Sequence, residues 1–343
     1  MQFFASRTLP LLKIGVFCLV FMLLSGIMVH AEHDPLKGLS GSPFTDPSEI
    51  MEMPDSWKKQ PIMYDPSVGN VDLVVSLDRQ MHYAYRPLIH KFAEENNLKI
   101  VVNDGTCGIS SGMLSRKAID IGGFCCAPGV TDRLPGLRFH TIGISALALI
   151  VHPENPVDNI TFEQAQRIFM GKIHRWSELK TAKGTKGRNL PIQPVGRLHC
   201  KNRPGHWQLL LHDEDLFSQN LLEVGAISDM ISQVAGNERA IGHEILWMTR
   251  HFQDKGKVKT LKINSYNPGN SAHLVSGKYQ LYRVFNLTTW QRGKDANPIA
   301  QKLVHYLMQQ LNHLDEKFGL VPASQLRQAG WKFKGDELIG EPE

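Results

Sequence analysis

From Val71 onward the chain alternates between two hydrophobic periods. Val71-Asp72-Leu73-Val74-Val75 is a short apolar run that suits a buried strand. Tyr83 to Asn96 places Leu88, Ile89 and Phe92 on one side and Glu94 and Glu95 on the other, which predicts a helix. Leu98 to Val102 predicts a second strand, and Gly105 to Gly108 a tight turn. Ser110 to Lys117 then predicts a helix, and Ile119-Asp120-Ile121-Gly122-Gly123 a third strand. Strands alternating with helices at this spacing imply a parallel sheet covered by helices, an α/β fold.

The pattern continues to the C-terminal region. His140 to Val151 is an apolar strand long enough to cross from one lobe to another. Thr161 is placed to cap a helix over Phe162 to Met170, with Gly171 as its stop. Pro191 to Val195 predicts a strand, Trp207 to Leu211 the start of a helix, and Tyr279 to Phe285 a return strand. Ile227 to Val234 and Ala240 to Met248 mix helix and strand signals. Asn297 to Leu314 is amphipathic, with Ile299, Leu303, Leu307 and Leu311 at steps of four. No repeat of fixed period is present.

Composition narrows the class. A chain of 343 residues, 42% hydrophobic and 21% charged, can bury a core in two domains. Residues 1 to 31 predict a cleavable secretory signal. Arg7 and Lys13 precede the apolar run Ile14 to Met28, and Val29-His30-Ala31 offers small residues to a peptidase. No later segment is apolar enough to span a bilayer, so no membrane insertion is expected after cleavage. Residues 32 to 70 carry Pro35, Pro43, Pro47, Pro54, Pro61 and Pro66 and predict an extended arm. Loss of Arg7 and Lys13 takes the net charge from +5 to +3. Lysine and arginine are scattered, which argues against nucleic acid. Lys255, Lys257, Lys259 and Lys262 read as a solvated edge.

Four stretches carry a resemblance. The first is Gly105-Thr106-Cys107-Gly108-Ile109, followed by Ala118-Ile119-Asp120-Ile121-Gly122. The second is Ala148-Leu149-Ile150-Val151-His152-Pro153-Glu154-Asn155-Pro156-Val157. The third, and the most specific, holds Ile168, Phe169, Gly171, Lys172, Ile173, Trp176, Ser177, Glu178 and Leu179 at fixed offsets. The fourth is Arg239-Ala240-Ile241-Gly242, with His243 where tyrosine is usual. In order and spacing, residues 71 to 315 resemble the phosphate-type periplasmic solute-binding proteins, the receptors of ABC importers. The resemblance implies a type II periplasmic-binding fold of two lobes joined by two crossover strands, closing over a ligand. Lobe 1 would comprise residues 71–150 and a return over 266–343, and lobe 2 residues 151–265. It further implies a monomeric periplasmic protein that binds a small anion such as phosphate, needs no cofactor, and docks on an importer permease.

In that family, a small-residue turn opening a helix presents its N–H groups to the anion. Gly105, Thr106, Cys107 and Gly108 match that turn, with a plain helix cap as the alternative, and Arg197 matches an arginine that clamps the oxyanion, with a hinge salt bridge as the alternative. Other positions depart. The acidic residue that selects protonated phosphate falls on Cys125, with Cys126 next. A Ser-Gly-Thr element reads Pro204-Gly205-His206, and a Gly-Ser/Thr turn reads Ser76-Leu77-Asp78-Arg79.

The family topology would bring Cys107, Cys125, Cys126 and Cys200 to the cleft, with His199 and His206 beside them. Such donors suit zinc, copper(I) or trivalent arsenic, and a receptor of that kind could report to a sensor kinase. Structural disulfides and unreactive buried thiols are the alternatives, because four cysteines in an oxidising compartment allow three pairings. Two catalytic readings are weaker. Gly108-Ile109-Ser110-Ser111-Gly112 fits the serine-hydrolase pattern G-x-S-x-G, and Cys200 beside His199 or His206 offers a nucleophilic pair. Receptor, not enzyme, is the expectation.

Overall fold

The computed structural model describes residues 38–291, 296–311 and 318–343. The chain divides into Met1–Gly38 and Leu39–Glu343, and the fold below is that of the second unit. The expected signal segment lies outside the described residues. Among those residues no helix is long and apolar enough to cross a membrane.

The elements are β1 (Leu73–Asp78), α1 (Arg79–Glu95), β2 (Ile100–Gly105), α2 (Cys107–Ser115), β3 (Ile121–Phe124) and β4 (Leu137–Val151). There follow α3 (Phe162–Phe169), β5 (Gln193–Gly196), β6 (Leu222–Glu223), α4 (Ile227–Ala235), β7 (Ala240–Ile245), α5 (Leu246–His251) and β8 (Lys259–Thr260). The last are β9 (Tyr282–Trp290), α6 (Pro298–Gln310), β10 (Leu320–Pro322), β11 (Lys332–Lys334) and β12 (Glu337–Gly340).

One ten-stranded mixed sheet runs β2-β1-β3-β9-β4-β7-β5-β6, with β8 and β10 also paired to β4. β2, β1 and β3 are parallel, and β9 is antiparallel to β3 and β4. The long β4 serves both lobes. Its Leu137–Ala146 part pairs with β9, and its Leu147–Val151 part with β7. It can do so because residues 139–151 are all buried, which lets one strand pass through two cores.

Two hydrophobic cores follow. One gathers Leu73, Val75, Leu77, Met81, Ile89, Phe124 and Leu303; the other gathers Leu149, Val151, Ile168, Phe169, Trp176, Val195 and Ile231. Residues 266–343 contribute to both cores. Tyr279, Leu281, Val321 and Trp331 pack in the second, and Leu287, Trp290 and Leu303 in the first. Trp247 and Met248, expected within lobe 2, pack in the first core.

Helix starts are set by side-chain caps. Asp78 accepts from Gln80 N at 2.9 Å, so α1 begins at Arg79 instead of Tyr83 and carries Pro87 within it. Thr161 and Gln164 form a capping box on α3, and Gly171 follows with φ of 72°. The expected helix from Trp207 is a four-residue 3-10 turn, His206–Leu209.

Residues 39–70 lie against the body. Gly41 N donates to Gln208 O at 2.8 Å, and His212 N to Leu39 O at 2.7 Å, in the second lobe. Thr45 Oγ1 then donates to Pro128 O at 2.7 Å, and Met51 N to Arg133 O at 2.8 Å, in the first. Trp57 Nε1 and Tyr64 OH continue along the first lobe, donating to Ser115 O and Asp120 Oδ2.

Candidate functional site

The parallel strands β1, β2 and β3 end side by side, and ligands of open α/β sheets bind beyond such carboxyl ends. Asp78 pairs with Gly105 in the strand register, and Phe124 leads directly to Cys125 and Cys126. A cleft of about 610 Å³ opens at this edge. Gly105, Thr106, Gly108, Cys125 and Arg283 line it from one lobe, and Arg197, His199 and Cys200 from the other.

Thr106 caps α2 by accepting from Ile109 N at 3.2 Å, which leaves its O–H free to donate. The expected turn is therefore the start of the helix itself, with Cys107 as its first residue. An added Cβ on Gly105 would stand 3.2 Å from the Ile109 side chain, so glycine lets the helix close on the strand end.

Arg283 is the second residue of β9 and is 1% exposed. Its Nε donates to Cys125 O at 2.8 Å, and its Nη2 lies 2.8 Å from Cys125 Sγ and 3.0 Å from Cys126 Sγ. Among the described residues its Nη1 has no hydrogen-bond partner. The sequence reading missed this residue. The signal was there, since Arg283 is the one charge in the apolar run Leu281 to Phe285.

Of the five cysteines in the chain, the four among the described residues, Cys107, Cys125, Cys126 and Cys200, are free thiols. The Sγ atoms of Cys107, Cys125 and Cys126 lie within 4.8 Å of one another, with Cys107 and Cys125 at 3.2 Å. Cys107 Sγ also lies 3.7 Å from Asp78 Oδ2 and accepts from Cys125 N at 3.3 Å. Cys200, half-buried, comes from the opposite lobe and faces Cys107 and Cys126.

The shared protons polarise the cluster. Hydrogen bonds from Cys107, Cys125 and Cys200, with Arg283 nearby, hold the Cys126 thiol well below the usual range. The other three move up. Cys107 does so mainly through its hydrogen bond to Cys125, Cys125 through burial, and Cys200 through its hydrogen bond to Cys107. Burial also pushes the Asp78 carboxyl up, against the pull of Arg283.

Four expected site residues stand differently. Arg197 lines the cleft, but its Nη1 donates to the buried Glu244 Oε2 at 2.7 Å, so its charge is already matched. Gly205 and His206 are not among the residues lining the cleft. Gly205 has φ of 96° and opens the 3-10 turn. His206 packs behind it, its ring 4.8 Å from His199 and 5.3 Å from His243. His199 stands outside the sulfur group and accepts from Arg197 Nη2 at 3.3 Å. Burial lowers the pKa of His199 to about 4 and that of His243 to about 3, with Arg197 and Arg283 adding to both.

The hydrolase pattern is closed off. Ser110 is 0% exposed and hydrogen-bonded to Ser76 Oγ and Ser76 O at 3.0 and 3.1 Å.

The lobes also meet at the margin of the cleft, where Arg203 is one of the lining residues. Arg203 donates to Asp132 through Nε at 2.7 Å and Nη2 at 2.6 Å, both residues buried. Sequence reading missed this pair, because nothing local links positions seventy-one apart.

Residues 86–310 match the family described as the PBP superfamily domain. The chain is 23% identical over 233 residues to the phosphate-binding protein PstS of Bacillus subtilis (strain 168), covering 65% of this chain and 72% of that one. Among solved structures it resembles a substrate-binding protein with bound phosphate from Clostridium perfringens, at TM-score 0.60 and 19% identity. It also resembles an ABC-type phosphate transport receptor from Vibrio cholerae, at TM-score 0.57 and 19% identity. Each match covers 73% of this chain and 99% of the other.

Proposed function

The chain belongs to the PBP superfamily, and from that premise we propose that it is an exported solute-binding receptor that encloses a small oxyanion of phosphate type for an ABC importer. The relatives named for phosphate binding and transport support that reading. The observation that carries it is Arg283. A guanidinium almost wholly buried keeps a donor without a partner and lines the cleft. A buried unpaired donor is costly, and an oxygen of a bound guest would relieve it.

The Thr106 hydroxyl and the first amides of α2 would approach the same guest from the strand ends. Arg197 would act differently from a free clamp. Its bond to Glu244 fixes the guanidinium, leaving Nε as the unpartnered donor. Export would follow from the N-terminal segment, and delivery to a permease would need the closed form.

Titration calorimetry of the mature protein against phosphate and sulfate tests this. Phosphate should bind at a single site, and Arg283→Met should weaken it by about 100-fold, the scale for removing one partner of a buried charged hydrogen bond. Phosphate affinity unchanged in Arg283→Met would remove the basis of the proposal.

A thiophilic guest is the second reading, favoured by three adjacent sulfurs, of which that of Cys125 belongs to the cleft lining.

A further inference from the structure

Phosphate has no use for sulfur ligands, yet Cys125 and Cys200 line this cleft, and Cys107 and Cys126 lie buried beside Cys125. Cys107, Cys125 and Cys126 are 0 to 2% exposed, and their Sγ atoms lie within 4.8 Å of one another. They sit at two strand ends of one lobe, so the group is assembled before any closure. Resting on the receptor reading, we propose that these three cysteines form a three-sulfur site for trivalent arsenic, admitted to the cleft as arsenous acid.

Thiols select soft or borderline centres over hard ones. Three features then choose among soft guests. Arg283 Nη2 lies 2.8 and 3.0 Å from two of the sulfurs, and a fixed positive charge there opposes a bare metal cation. The unpartnered Arg283 Nη1 and the Thr106 hydroxyl suit a guest that arrives carrying oxygen. Three converging sulfurs match pyramidal three-coordinate arsenic, whereas closed zinc sites use four ligands in a tetrahedron.

The chemistry balances without an oxidant. Three S–H and three As–O bonds break, three As–S and three O–H bonds form, and three waters leave. Arsenic stays trivalent. A position that starts as thiolate draws its missing proton from solvent. Starting from three thiols, the exchange adds no charge to a buried site, where uncompensated charge is costly. Cys200, from the opposite lobe, lines the same cleft.

The test uses the reduced mature protein with arsenite, phosphate, Zn(II) and Cu(I) as separate probes. Calorimetry should give one arsenite per chain, and arsenic X-ray absorption should show a first shell of three sulfurs and no oxygen. Cys107→Ser, Cys125→Ser and Cys126→Ser should each weaken arsenite by about 100-fold, as expected when one arm of a chelate is lost. The absorption measurement on unmodified protein stands even if a variant fails to fold. An oxygen-only shell, or displacement of arsenite by equimolar Zn(II) or Cu(I), overturns the assignment. Phosphate binding without arsenite binding overturns this inference and leaves the receptor reading intact. Arsenite binding without phosphate binding upholds it and removes the phosphate guest. Binding of neither overturns both.

Discussion

A guanidinium in the interior of a sheet must find partners, and Arg283 finds unusual ones. A backbone carbonyl and two cysteine sulfurs take Nε and Nη2, and Nη1 stays buried without a partner among the described residues. Behind it lies a row of histidines kept neutral by burial. His243 is 1% exposed and neither ring nitrogen has a hydrogen-bond partner among the described residues. Arg197, Arg283 and His199 face it by charge, and His206 and Phe169 by ring contact. Its pKa falls from 6.5 to about 3 in the folded state, so the unfolded chain takes up the proton first. The stability it supports is complete above pH 6.5 and is lost as the pH drops through that window toward about 3. The expected slope is about 1.4 kcal/mol per pH unit for each such histidine. Urea unfolding between pH 7 and 4.5 measures it, and His243→Leu should make the slope shallower by that amount. An unchanged slope would mean that the ring is already hydrated.

At the scale of the element, the site is a set of strand ends turned into helix starts. The sequence predicts β1, β2 and β3 within a few residues, because their apolar runs have no competing period. It misplaces the starts of α1 and α2, because Asp78 and Thr106 end strands and begin helices at once. Thr106 thus has two roles that substitution can separate. Thr106→Ala should cost about 1 kcal/mol of stability, the usual value of an N-cap. It should also lower phosphate affinity beyond what that loss explains, whereas Thr106→Ser should restore both. Thermal unfolding and calorimetry on the same samples check the two effects. Equal affinity in Ala and Ser variants would remove the hydroxyl from the site.

At the scale of the whole molecule, contacts beside the cleft hold the lobes together. Arg203 and Asp132 join the lobes, and Gly129 meets Asn202 across the same seam. A Cβ on Gly129 would stand 2.1 Å from Asn202 O, too close for any real contact. Backbone at Gly129 is ordinary, with φ of −79°, so alanine there strains neither lobe by itself. Gly129→Ala should therefore hold the lobes apart. Small-angle scattering should show a larger radius of gyration with phosphate present, with the thermal midpoint nearly unchanged. A variant as compact as the parent would show that the seam is not needed for closure. Residues 39–53 cross the same division on the outside, bonded to Gln208 and His212 in one lobe and to Pro128 and Arg133 in the other.

Sequence alone determined the alternation of strands and helices and the long β4. These rest on periodicity, caps and glycine, which act over a few residues. The family resemblance added two lobes and a cleft that gathers the cysteines. Tertiary structure decided the rest. It paired Arg197 with Glu244, turned His206 into the second core, and set Arg283 against the sulfurs. Those outcomes depend on which buried charges find partners across long separations, and no local pattern of residues encodes that distance.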